Sequence, residues 1–378
     1  MKIGIDTFTS DSGKSGVGVY LNQILKRIPP SSGARGELFG WDFDRFAFSE
    51  TAPDMEFIPQ CFVNGRTANA LWHLAKYPEF ARARGYDVCF FPAAHRRLPR
   101  RSPCPSIGTV HDMAPFWGTR RTREHLGAVL RVVFPSSLRH LDRIIAVSNF
   151  VKEELVDLAR VKESRIEVVP NGIDLSVFYP RPRNEESTVL IQPFSFRRPY
   201  ALYVSRIDHP IKNHIRLIKA FERFKERTKY PHRLVLAGGD SHGAEAVKRT
   251  VAKSPYGHDV FFTGHFPPES LPELYAGADF VIFPSLYEGF GQGILEAMAS
   301  GVPVVCARAA SLLETAEHAA LYFDPLDTED MADRMVTVTT NRDIYRDCRA
   351  KGLERVKDFS WDRCAEETLR IIQETTGE

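Results

Sequence analysis

The run Phe280-Val-Ile-Phe283-Pro284-Ser-Leu-Tyr-Glu288-Gly-Phe-Gly-Gln-Gly-Ile-Leu-Glu296-Ala-Met-Ala-Ser-Gly301 decides the fold. The apolar residues Phe280 to Phe283 read as a strand, Pro284 ends it, a glycine-studded turn follows, and a helix opens near Gln292. Glu288 then sits on the loop at the strand's carboxyl end, and Glu296 lies about a turn into the helix. Gly289, Gly291 and Gly293 allow backbone N–H groups to approach a ligand closely, and the positive end of the helix favours an anion there. Two carboxylates beside an anion-seeking helix start suit a ligand that carries both hydroxyls and phosphate, such as a nucleotide sugar. The plain alternative is a capped helix with an ordinary exposed Glu on its next turn.

Outward from this run, apolar strand-like stretches alternate with amphipathic segments of helix length. In the first half the stretches are Lys2–Asp6, Asp87–Phe91, Ser106–Val110, Arg143–Val147 and Ile166–Val169. In the second they are Tyr200–Ser205, Arg233–Ala237, Val260–Thr263, Phe280–Phe283, Val302–Cys306 and Ala320–Phe323. Such alternation predicts parallel sheets covered on both faces, the doubly wound α/β class. Between the halves, residues 179–199 hold Pro180, Pro182, Pro193 and Pro199 with no regular pattern, the expected boundary. The expected domains are therefore 1–180 and 200–358, joined by a linker over 181–199, with a last helical segment at 359–378.

Composition narrows the function. The 378 residues suffice for two domains, and 43% hydrophobic with 26% charged residues is ordinary for a soluble globular chain. A net charge of +2, and arginines without interleaved aromatics, give no sign of nucleic-acid binding. The six cysteines show no C-x-x-C pair and no metal spacing, which predicts buried free thiols in a reducing cytoplasm. The opening Met1–Asp6 reads as a buried strand and not as a signal peptide, and no apolar run approaches the ~20 residues that span a bilayer. Asp42-Phe-Asp44 spells a metal–diphosphate motif, but a three-residue match inside an aromatic run is weak, and we reject it as a metal site.

The 288–296 run resembles the E-x7-E signature of the retaining glycosyltransferases of family 4, which have the GT-B architecture of two Rossmann-like domains facing a cleft. The resemblance implies that Glu288 contacts the donor sugar, that Glu296 holds the donor's ribose, and that Gly289, Phe290, Gly291 and Gln292 line the donor. Gln292 and Gly293 depart from the family's usual apolar residue followed by Pro. Ser205-Arg206-Ile-Asp-His-Pro-Ile-Lys212-Asn213 is similar to the family's G-R-x-x-x-x-K-N element, with Ser205 in place of Gly. There Arg206 forks onto phosphate oxygens and Lys212 adds a point charge, neutralising a leaving diphosphate with no metal and no cofactor.

The remaining expectations follow chain order. Ser10 to Gly18 fails the spacing of a phosphate-binding loop; the family makes it a glycine loop in which Gly16 approaches the donor diphosphate or the acceptor, with Lys14 a lesser candidate. Tight packing is the alternative. His111, ending a strand in Thr109-Val-His-Asp112, lies near the donor sugar in the family, with Asp112 orienting its ring or capping the next segment. Gly239, His265 and Phe266 end two further strands where the family walls the nucleotide. Arg96, Arg97, Arg100 and Arg101, with Arg120, Arg121 and Arg123, form a solvated basic loop, or contact anionic lipid headgroups or a lipid-diphosphate acceptor. The resemblance also implies that the last helix packs back on the N-terminal domain. The activity expected is transfer of a hexose, foremost mannose from GDP-mannose, to a polyprenyl-diphosphate-linked glycan for a bacterial surface polysaccharide. The protein is expected in the cytoplasm, peripheral on the inner membrane face. A UDP-hexose donor, a glycoside hydrolase and a catalytically silent nucleotide-sugar-binding protein are the alternatives.

Overall fold

Short apolar runs bounded by Gly, Pro or Asp become parallel strands, and the amphipathic segments between them cover both faces of the sheets. The computed structural model describes residues 1–8, 10–13, 15–28, 35–48, 50–61, 69, 71–116, 134–182, 188–191 and 194–377, the side chains of 12, 115 and 188–197 excepted. Lys14, Arg120, Arg121 and Arg123 lie outside the described residues.

In chain order the first strands are β1 (Lys2–Asp6), β2 (Arg35–Trp41), β3 (Glu56–Gln60), β4 (Val88–Phe91), β5 (Ser106–Val110), β6 (Arg143–Ala146) and β7 (Ile166–Val168). They make one sheet in the order β3-β2-β1-β4-β5-β6-β7, parallel throughout. After β8 (Thr188–Ile191) and β9 (Phe194–Arg197) come β10 (Tyr200–Val204), β11 (Arg233–Ala237), β12 (Val260–Gly264), β13 (Phe280–Phe283), β14 (Val304–Ala307) and β15 (Ala320–Phe323). The last six form a second parallel sheet in the order β12-β11-β10-β13-β14-β15. Each sheet winds outward from a central strand, first one way and then the other. Ligands bind such sheets at the point of reversal, outside the carboxyl ends of the strands. The doubly wound α/β expectation is met in both.

Three elements depart from the sequence reading. Strands β2 and β3 were not expected. Arg35–Trp41 carries two glycines and Glu37, yet the buried Glu37 carboxylate is met by Lys2 at 2.7 Å and Arg84 at 2.8 Å, so the strand tolerates it. Residues 181–199 are not patternless: β8 and β9 pair there as an antiparallel hairpin.

The chain divides into two units, residues 1–172 with 360–378, and residues 173–359. The division thus precedes the expected linker. Ile173 N–H donates to Phe359 O at 3.3 Å, the Asp174 carbonyl closes a turn with Val177 and Phe178, and Arg181 pairs with Glu273, all inside the second unit.

Ser360 opens the last helix, Trp361–Thr376, its hydroxyl accepting from Asp362 N and Arg363 N. Trp361, Cys364, Ala365, Ile371 and Ile372 recur at helical spacing on one face and enter the first unit's core beside Ile3, Tyr20, Leu21 and Val88. Each large apolar side chain buried there contributes about 1.5–3 kcal/mol. Gly172 permits this seating, because a Cβ added to it would lie 2.1 Å from the Trp361 nitrogen. Backbone cannot yield as a side chain does. Gly172→Ala is therefore expected to lower stability by about 1–3 kcal/mol in denaturant titration. Gly16→Ala, whose Cβ would meet nothing within 4 Å, serves as the neutral control. Equal stability of the two variants would refute the contact.

Candidate functional site

In the second unit, β10 and β13 flank the reversal of strand order, so the loops leaving their carboxyl ends are neighbours. Asn213 ties them together. Fully buried and in the left-handed region at φ 57°, its amide donates to Pro284 O at 3.0 Å and to Pro325 O at 2.7 Å. Leu286 N–H donates to Ile211 O at 2.9 Å, and Tyr203 OH donates to Lys212 O at 3.1 Å. The Lys212 backbone is held from both sides.

Lys212 and Glu288 meet here. Lys212 Nζ lies 2.6 Å from Glu288 Oε1, with each side chain 19% exposed. Ser285, fully buried, donates to the same Oε1 at 2.7 Å and lies 2.8 Å from Tyr203 OH. The Glu288 carbonyl accepts from Ser311 Oγ at 2.8 Å. One carboxylate oxygen is therefore occupied twice by this framework, which fixes the plane of the carboxylate and the position of Oε2.

Gly291, at φ 95°, opens the helix Gln292–Ala299 with no side chain to cap it. Glu296 lies in the second turn of that helix. Crowding by the protein pushes its carboxyl up to about 7, partly offset by the Tyr275 hydroxyl beside it. A Cβ on Gly293 would come within 2.8 Å of that hydroxyl, so glycine is the residue that fits.

The other expected donor contacts separate. Arg206 is exposed on the loop after β10, which is laced to the loop after β11 through Ile207 N–H to Gly239 O at 2.9 Å. Gly239 lies against the exposed His265 ring, where an added Cβ would come within 2.4 Å of Nε2, and Phe266 is half-buried beside it in sequence. Gly289 is buried. Phe290 differs from expectation. Its ring is buried edge-on against Phe359 and its carbonyl accepts from Thr315, so its side chain serves packing.

In the first unit, His111 follows β5. Its Nε2 donates to Pro92 O at 2.9 Å, which leaves Nδ1 an unprotonated acceptor. The ring packs edge-on against Tyr20 and His95, and burial followed by the His95 charge pushes its pKa down to about 3. His111 is a neutral acceptor at neutral pH. Asp112 does not orient it: that carboxylate accepts from Ala114 N at 3.1 Å and lies 4.0 Å from His95. His95, buried and unflagged by the sequence reading, is the neighbour that shapes the site. Gly16 is exposed with open space around it, whereas Gly18 packs against Gly13 and Ser10, so within the glycine loop tight packing falls on Gly18 and not on Gly16. The arginines also separate. Arg96 pairs with Asp11 at 2.7 Å and Arg97 donates to Arg96 O, while Arg100 and Arg101 are exposed. Asp42 is exposed beside Arg45 and Asp44 is buried, accepting from Thr7. Those two carboxylates face different surroundings.

Two family models match: "Glycosyltransferase Family 4" over residues 16–177 and "Glycosyl transferases group 1" over residues 191–355. The chain is 30% identical over 291 residues to the O-antigen chain mannosyltransferase B of Escherichia coli, covering 77% of this chain and 75% of that one. It is 26% identical to the mannosylfructose-phosphate synthase of Agrobacterium fabrum, covering 75% and 66%. Among solved structures, the sucrose-phosphate synthase of Thermosynechococcus elongatus superposes with a TM-score of 0.76 at 19% identity, covering 99% of this chain and 98% of that one. Anabaena HepE in complex with UDP and glucose superposes at 0.74 and 20%, covering 99% of each. These likenesses place the two Rossmann-like units in the GT-B class.

Two outcomes follow from the geometry. Glu296 is held above the ordinary carboxyl range of 4.5, so its ionisation destabilises the fold; the cost is absent below 4.5 and fully present above about 7. Glu296→Gln should therefore raise unfolding stability by about 1–2 kcal/mol at pH 8, after discounting for partial exposure, and by almost nothing at pH 4.5. A gain independent of pH would refute the burial cost. Ser285→Ala should cut turnover about tenfold or more with donor KM nearly unchanged, and Ser285→Thr should restore part of it. Unaltered turnover in the alanine variant would show that Lys212 alone holds Glu288.

Proposed function

The chain belongs to family 4 of the glycosyltransferases, and from that premise we propose that it transfers mannose from GDP-mannose, with retention at the anomeric carbon, to a lipid-linked glycan acceptor. The observation that carries this reading is the fixed Glu288 carboxylate beside Lys212, followed eight positions later by Glu296 in a helix that glycine leaves open at its start. The mannosyl donor is favoured by the two mannose-named relatives.

On this reading the diphosphate takes the positive side of the second unit's loops. Arg206 and Lys212 balance its charge, and the helix start at Gly291 adds its dipole, so no metal is needed. The bound phosphate competes with Glu288 for Lys212, which frees Oε1 to join Oε2 in holding the sugar as oxocarbenium character develops. Glu296 accepts from the ribose hydroxyls. The acceptor hydroxyl attacks from the face that the diphosphate leaves: the new C–O bond forms, the C–O bond to phosphate breaks, and the proton passes to a phosphate oxygen. His111 contributes its neutral Nδ1 as an acceptor for a sugar hydroxyl. Among the described residues no helix is long and apolar enough to cross a membrane. We place the protein at the inner membrane face as a peripheral enzyme, with Arg100 and Arg101 as its exposed basic contacts.

Thermal unfolding with GDP and with UDP, each in EDTA, tests the donor. Ligand at ~100 times its dissociation constant adds ~2.7 kcal/mol, seen as a melting shift. Stabilisation by GDP alone is the expected result; stabilisation by UDP alone would overturn the mannosyl donor, and a requirement for added divalent cation would overturn metal independence. Glu288→Gln should lower turnover by orders of magnitude with nucleotide binding intact, and near wild-type activity would remove Glu288 from the mechanism. Because the ribose prefers an ionised Glu296, nucleotide affinity should weaken as pH falls below about 7, by at most about tenfold per unit.

A further inference from the structure

We propose that Cys104 and Cys89 form a hydroperoxide-reactive dithiol that closes reversibly to a disulfide, with Cys104 attacking and Cys89 resolving. Cys89 is fully buried in β4, and Cys104 is half-buried two residues before β5. Because β4 and β5 are paired, with Cys89 opposite Ser106, the two side chains are brought side by side, and their sulfurs lie 3.6 Å apart. Ser102 Oγ lies 3.6 Å from the Cys104 sulfur and 3.0 Å from Tyr77 OH. This is an asymmetric pair: one thiol reaches solvent and the other does not.

The electrostatics agree with the division of labour. Hydrogen bonding from Cys89 pushes the Cys104 thiol down to about 7, against burial and the nearby Asp142, while burial holds Cys89 well above its ordinary value. When the pair loses a proton, the charge settles on Cys104 and Cys89 keeps its proton. The Cys104 thiolate attacks the O–O bond of a hydroperoxide, forming a sulfenic acid and releasing water or an alcohol after protonation. The Cys89 sulfur then attacks the sulfenic sulfur, the S–S bond forms, and the hydroxyl leaves as water with the Cys89 proton. Two electrons pass from the thiols to the peroxide.

The disulfide would close the segment from Phe90 to Pro103. That segment carries Pro92, whose carbonyl sets the His111 tautomer, and Arg96, which is paired to Asp11. Oxidation therefore staples the backbone that supports the His111 ring, and closing a loop of this kind constrains the unfolded chain.

The full chain carrying Cys61→Ser, which removes the one other solvent-reaching thiol among the six, is treated with hydrogen peroxide and mapped by mass spectrometry. The expected product has lost two hydrogen atoms, links the peptides of Cys89 and Cys104, melts at a higher temperature, and reverts with dithiothreitol. In Cys89→Ala the sulfenic acid on Cys104 should persist and be trapped by dimedone. Cys104 passing to sulfinic acid in the parent while Cys89 stays reduced would overturn the proposal. So would a Cys104 that reacts no faster than the buried Cys306.

Discussion

The reversal of strand order at β10 and β13 is the constraint on which the site depends. Parallel strands need long crossovers, and winding them outward in both directions leaves one place where adjacent loops diverge to opposite faces of the sheet. The chain spends its chemistry there. The loop after β10 brings Arg206 and Lys212, and the loop after β13 brings Ser285 and Glu288. Backbone pairing of these loops is sparse, a bridge from Ile207 to Asp240 and a bond from Leu286 N–H to Ile211 O, and the buried amide of Asn213 adds to it by donating to carbonyls from two other loops. A charge-neutral hydrogen-bonding group suits this task, since it satisfies buried carbonyls without adding a second charge near Lys212.

Glu288 and Glu296 show how one short segment sets two carboxyls apart. Glu288 has a cation and a hydroxyl on one oxygen, so its charge is met by the protein itself. Glu296 has the neutral Tyr275 hydroxyl beside it and is pushed upward by burial. A carboxyl raised by burial is a cost to the ligand-free fold once it ionises, and on the proposed reading a ligand bearing hydroxyls offsets that cost on binding. Binding energy and instability at Glu296 are then two readings of one environment.

The parts of this arrangement differ in how legible they were. Strands such as Phe280–Phe283 were readable because four apolar residues ending in proline have few other uses, and the spacing of Glu288 and Glu296 follows from the turn between them. Strand β2 was hidden because Glu37 breaks its apolar pattern, and only Lys2 and Arg84, far apart in sequence, make that glutamate tolerable. Ser285 and Tyr203 were hidden for a related reason. A serine after a strand and a tyrosine within one are ordinary residues until the fold places the two hydroxyls 2.8 Å apart next to a carboxylate. Asn213 was read as the close of the G-R-x-x-x-x-K-N element; it precedes the helix His214–Thr228, and its amide partners lie 71 and 112 positions away. Local pattern fixes elements; polar partners are chosen by the tertiary structure.

The basic segment near residue 100 carries the same argument to charge. In sequence, Arg96, Arg97, Arg100 and Arg101 look equivalent, a single patch of four like charges. In the fold Arg96 is paired with Asp11 from the glycine loop and Arg97 turns onto its neighbour's carbonyl, both half-buried, while Arg100 and Arg101 are exposed. Counting charges along a chain therefore overstates the field that a surface presents, because oppositely charged side chains from distant segments cancel part of it. The cancelled charge has a structural use. The Arg96–Asp11 pair joins the loop after β4, which carries His111's supporting carbonyl at Pro92, to the loop after β1, so what reads as a binding patch is in part a brace between the two loops that flank the strand-order reversal of the first sheet.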